Sequence, residues 1–195
     1  MALTPWQPLP GSNQYELRGV GSPYGVVTPA STGIYYTDTV STNGAVRWVS
    51  TGTANTSWKV AYGDTGWRAI TTSDSSGVVT GTPYPSGVTP QSGLAGGFII
   101  RRCAESMEWQ LWGITLATGS TITFTFPTGF TAGVYGAGSS YSVTAYGSSA
   151  TITVRQLAGY ILLNVSTLVS LGTYGIGNTI SPSGIWPTVL PGTPA

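Results

Sequence analysis

Six carboxylates and one thiol are all that this 195-residue sequence offers to acid–base or nucleophilic chemistry, because it contains no histidine. Without imidazole, the common nucleophilic triads and histidine-ligated metal sites have no place in the chain. Glu105 and Glu108 stand closest together, but a separation of three in a strand turns the two side chains to opposite faces. They could serve as a glycosidase pair only across a turn, since that chemistry needs both carboxylates beside one bond. Asp38, Asp64 and Asp74 each adjoin Thr, Ser or Gly and read as turn residues whose carboxylates accept backbone N–H groups. Cys103 follows Phe98-Ile-Ile and reads as a small apolar strand residue, because a reactive thiol needs a basic neighbour. No calcium-loop, P-loop or nucleophile-elbow spacing occurs. The sequence therefore assigns no catalytic residue, no cofactor and no metal site, and reads as a non-enzyme.

The uneven feature is a row of tryptophan and cation neighbours: Arg47-Trp48, Trp58-Lys59 and Trp67-Arg68, in a chain with only seven Lys and Arg. Adjacent strand residues face opposite ways, so each cation is expected over an aromatic ring of another strand, worth about 0.5–1 kcal/mol at an exposed site. The aromatics could form a carbohydrate platform or could pack cores and interfaces. With 11% aromatic residues and 7% charged ones, packing is the stronger reading. Trp48, Trp58 and Trp67, with Trp6 and Tyr15 from the N-terminal segment, are the candidate assembly or attachment residues. No host-contact residue is identified.

Behind these residues stands an all-β pattern. Residues 1–24 carry several prolines and predict an extended arm that docks on its own domain or on a neighbour. Residues 25–72 alternate β-rich clusters with turns, giving expected strands at Val26–Thr28, Ile34–Thr37, Ala45–Val49, Ser57–Val60 and Trp67–Ile70, a small β-module. Within Ala45–Val49 the period of two sets Ala45, Arg47 and Val49 on one face and buries Trp48 on the other. Residues 73–97 have turn residues at almost every step and read as a Gly/Pro/Ser linker. Residues 98–195 predict a C-terminal antiparallel β-sandwich of jelly-roll type, with strands at 98–103, 107–116, 121–126, 141–146, 150–155 and 159–165. There Ile122, Phe124 and Phe126 alternate with Thr121, Thr123 and Thr125. The segment from Gly172 onward is expected to lie along the sandwich or a sister subunit. No window supports a helix, because Gly and β-branched residues interrupt each one.

Composition excludes whole function classes. Charged residues make up 7% of the chain against a typical ~25%, and the net charge is +1. Nucleic acid and anionic membrane need a basic patch, and Arg101-Arg102 is the largest here. The longest apolar run, Leu157 to Leu163, is far short of a membrane span. The first residues have neither a cationic n-region nor an apolar run, so no secretory signal is expected and synthesis is assigned to a cytoplasm. Weak net charge leaves little repulsion between copies, which favours oligomerisation.

Five stretches carry a resemblance: Gly21-Ser-Pro-Tyr-Gly-Val-Val-Thr28, Gly33-Ile-Tyr-Tyr-Thr-Asp-Thr39, Thr42-Asn-Gly-Ala-Val-Arg-Trp48, Asn55-Thr-Ser-Trp-Lys-Val60 and Tyr62-Gly-Asp-Thr-Gly-Trp-Arg68. In this order they resemble a module of minor tail and head-fibre proteins of tailed bacteriophages, especially phages of actinobacteria. Where related proteins often read G-S-P-E-G, this chain has Tyr24. The Pro127-Thr-Gly-Phe130 turn after Phe124 and Phe126 resembles, more loosely, the C-terminal sandwich of phage fibres and receptor-binding proteins. The resemblance implies a homotrimer on the virion surface, partnered by tail or capsid proteins, with a host cell-surface glycan as a further partner if it attaches to cells. The leading expectation is a non-enzymatic virion structural protein: a minor tail, fibre or capsid-decoration protein. The alternative is a carbohydrate-binding receptor-binding protein or a polysaccharide-degrading enzyme.

Overall fold

Alternation of apolar and hydroxyl side chains builds the strands of the second half as the sequence suggests. In β11 (Ser120–Thr125), Ile122 and Phe124 are buried while Thr121, Thr123 and Thr125 are exposed. The structure is a computed structural model and describes residues 16–104, 106–131, 140–144, 151–173, 175–180 and 186–195. The fold is all-β; among the described residues the only helical element is a 3-10 turn at Thr42–Gly44.

One sheet runs in the order β11, β14 (Tyr160–Val165), β13 (Thr151–Leu157), β12 (Ser140–Thr144), all antiparallel. It faces a second sheet of β16 (Ile176–Ile180), β9 (Ser106–Trp112), β8 (Gly96–Cys103), β5 (Arg68–Ser73) and β17 (Thr193–Pro194), with β6 (Val79–Gly81) also on β5. Phe98 of β8 meets Phe124 of β11 at a ring-centroid distance of 5.1 Å. Around them Ile100, Trp109, Leu111, Ile152, Val154, Ile161 and Leu163 are fully or nearly fully buried in one cluster. Each such side chain contributes about 1.5–3 kcal/mol of transfer free energy, and the two inner faces make a sandwich core. A three-stranded sheet of β15 (Val169–Leu171), β10 (Ile114–Leu116) and β7 (Val88–Pro90) closes one end, contributing Val88, Ile114, Leu116, Val169 and Leu171 to that core.

The small module is a four-stranded sheet of β1 (Glu16–Gly19), β2 (Tyr35–Asp38), β3 (Ala45–Ser50) and β4 (Trp58–Gly63). It has its own core of Ile34, Tyr36, Ala45, Trp48, Trp58 and Val60, to which the distant Trp186 is added. Two peptide connections tie the modules: Thr65 donates its N–H to the Arg102 carbonyl, and Ala104 donates to the Gly63 carbonyl, both at 2.9 Å.

Several expectations need correction. Val26–Thr28 is not a strand, because Val26 and Val27 both donate to the Pro23 carbonyl and fold the chain into a turn. The strand lies earlier, at β1, inside the expected arm; it pairs parallel with β2, and Glu16 accepts the Thr37 hydroxyl at 2.7 Å. Residues 1–15, and with them Trp6 and Tyr15, lie outside the described residues. The expected strand Met107–Leu116 is two strands in two sheets, broken at Gly113 with φ 60°, where a Cβ would stand 2.3 Å from the Ala95 carbonyl oxygen. Residues 73–97, expected as a linker, carry β6, β7 and the start of β8, and β5 pairs directly with β8. Ala45 is buried with Trp48 rather than facing out with Arg47. Irregular pairing on either side of Arg47 inserts an extra residue, which turns the face over.

Candidate functional site

The side chains that the small sheet turns inward are set by its register. Tyr36 lies opposite Trp48, Trp48 opposite Val60, and Ser50 opposite Trp58, so these residues share one face. The Tyr36 and Trp58 rings meet edge-on at 6.0 Å. Trp58 donates its indole N–H to the Val27 carbonyl at 2.7 Å, which holds the ring and the preceding loop together.

The sheet's inner face is completed by a segment some 140 positions away. Trp186 enters this core and donates its indole N–H to the Asn43 carbonyl at 3.0 Å. Asn43 in turn gives its side-chain amide to the carbonyls of Pro187 and Thr188. Both Ser41 and Asn43 sit in the left-handed region, at φ 52° and 51°. Asn tolerates that conformation because its short amide bonds locally, and the Asn43-Gly44 pair is a turn signal. Beneath Trp186 the buried Arg102 guanidinium stacks at 5.0 Å from the ring and donates to the Gly129 carbonyl at 2.7 Å. Gly129 has φ 86°, and a Cβ there would meet the Pro187 backbone at 2.4 Å.

Between the small sheet and this returning segment lies a cleft of about 570 Å³. Trp48, Trp58 and Trp186 form its apolar floor, each 4–6% exposed. Ser22 and Tyr24 from the loop after β1, Thr42 and Asn43 from the 3-10 turn, and Thr188 from the return supply hydroxyls and an amide. Tyr24 is 55% exposed. Among the described residues, Lys59 is the single charged residue of the lining, and no carboxylate belongs to it. Among the described residues the covered indole N–H of Trp48 has no acceptor.

The sequence-predicted site residues are thus divided. Trp48 and Trp58 come together at the cleft, whereas Trp67 is half-buried next to β5, its carbonyl accepting the Ala195 N–H. The cations act across strands as expected in one case: the Arg47 guanidinium lies 4.1 Å from the Tyr35 ring centroid, on the next strand. Arg68 instead binds the carbonyls of Pro191 and Gly192 and holds the C-terminal segment. Trp186, Asn43 and Tyr24 were missed as site residues; the Asn-Gly pair marked the turn, but no local signal linked it to Trp186.

The carboxylates are engaged in structure. Asp38, 1% exposed, accepts from the N–H groups of Gly21, Val40 and Thr42 at 2.7–3.0 Å. Burial alone would raise its pKa, but these donors outweigh it and hold the carboxyl below the ordinary range. Asp64 accepts from the Gly66 N–H and is paired bidentately by Arg101, whose hydrogen bonds hold it low. Arg101 is correspondingly raised, chiefly by Asp64. Asp74 accepts from the N–H groups of Ser76 and Val78. Glu108 lies opposite Arg101 in the β8–β9 pair, 4.0 Å from its guanidinium. Glu105 lies outside the described residues, and with it the expected relation to Glu108. Comparison with protein-family models, curated proteins and solved structures finds no match.

Proposed function

We propose that the chain is a non-enzymatic structural protein of a tailed-phage virion, a minor tail, fibre or capsid-decoration protein forming homotrimers on the particle surface and contributing to host attachment. The observation that carries this reading is the structural use of the resembling stretches. The Pro23 carbonyl accepts the N–H groups of Val26 and Val27, Asn55 exchanges hydrogen bonds with Gly25 at 2.8 and 3.1 Å, Asp38 gathers three loop amides, and Asp64 closes the Gly66 turn. Those stretches supply most of the small sheet and the turns around it, and Ile34, Tyr36, Ala45, Trp48, Trp58 and Val60 from them pack in one core. The exposed large apolar residues Val20, Val26, Val40 and Tyr62, on a chain of net charge +1, suit burial against a second copy. A depolymerising enzyme would need two carboxylates in a shared groove, and none of the described carboxylates lines the cleft.

Immunogold electron microscopy of the purified particle with an antibody to this chain tests the location. Gold on tail or capsid supports the reading, and particles free of label sink it. Light scattering of the isolated protein tests the trimer: the expected mass is three times the 20.1 kDa of one chain. A single species at the one-chain mass refutes the trimer.

A further inference from the structure

We propose that the cleft between the small sheet and the C-terminal return binds a pyranose oligosaccharide. Its volume of about 570 Å³ falls inside the roughly 300–1,000 Å³ typical of small-ligand sites. The lining then selects the chemistry. A pyranose ring has an apolar C–H face and a perimeter of hydroxyls that each donate and accept. The cleft answers with an aromatic floor and a rim of Ser22, Thr42 and Thr188, whose hydroxyls also do both, and of Asn43, whose amide oxygen accepts while its N–H groups hold Pro187 and Thr188. Nucleic acid and acidic peptides need several cations, and among the described residues Lys59 is the single charge in the lining. A purely apolar ligand would leave that polar rim without partners.

Tyr24 is the ring available for stacking, at 55% exposed. The site is held ready. Trp58 and Trp186 have their N–H groups tied to Val27 and Asn43, and Asn43 clamps Pro187 and Thr188, so little ordering remains for a ligand to impose.

The test is an array of neutral and acidic pyranose oligosaccharides probed with the full-length protein, followed by calorimetric titration with whichever oligosaccharide binds best. Tyr24→Ala removes the stacking ring, Tyr24→Phe keeps it, and Thr188→Trp fills the cleft from an exposed position. Thermal unfolding checks that all three variants fold like the parent. Binding by the parent that weakens about tenfold or more in Tyr24→Ala and Thr188→Trp, yet persists in Tyr24→Phe, is the expected result. Absence of any glycan signal above that of Thr188→Trp overturns the proposal, as does binding that survives both disruptive substitutions. The virion reading stands or falls separately, on the immunogold result.

Discussion

Asp38 illustrates how a charged group in this chain serves the backbone. Its carboxylate is covered by three N–H donors, so Asp38→Ala leaves buried amides without an acceptor and is expected to cost about 1–3 kcal/mol by urea denaturation. Asp38 and Asp64 both hold their protons less tightly in the folded chain than in the unfolded one. Their stabilisation is therefore complete above the unfolded carboxylate value of ~3.9 and is lost as pH falls through their lowered folded values. The melting temperature should be flat through neutral pH and fall in acid below about pH 4, with a smaller acid fall in Asp38→Asn. Asp64 is partly exposed, so water and salt screen its pair with Arg101. Asp64→Asn should change stability by under about 1 kcal/mol and less at high salt.

At the scale of elements, the decisive piece is the return from Trp186 to Ala195. It fills the small core, pairs β17 with β5, and binds Arg68 and Asn43 along the way. Trp186→Ala removes a buried indole, the Asn43 hydrogen bond and the face on which Arg102 stacks, for an expected loss of about 3–5 kcal/mol in chemical denaturation. Gly129→Ala acts on the same element from below. Its Cβ would enter the Pro187 backbone in a conformation that L-residues rarely adopt, so it should loosen the return and destabilise by more than about 1 kcal/mol, read as a lowered urea midpoint. The strand pattern around these elements was legible because period-two alternation is local, as in Ile122 and Phe124. The break at Gly113 and the turnover at Ala45 were not, because each depends on which strand lies alongside.

The described residues form two cores joined by crossing segments. β5 lies in the six-stranded sheet although it follows directly on the small module, and Trp186 crosses in the other direction. Calorimetry should therefore record one cooperative unfolding transition for the parent protein, and two separated transitions once Trp186→Ala has cut the crossing contact. A parent protein with two transitions would mean that Trp186 and the Thr65–Arg102 and Ala104–Gly63 hydrogen bonds couple the modules only weakly.

An all-β chain with hydroxyl-rich outer faces, turn-capping aspartates and a buried Trp48 follows from the sequence alone, since each depends on neighbours within a few residues. The meeting of Trp48 and Trp58 with Trp186, the clamp by Asn43 and the building of residues 73–97 into the sheets were decided only by tertiary structure. Residues far apart in the chain carry no periodic trace of one another, so the cleft they form becomes visible only when the chain has closed on itself.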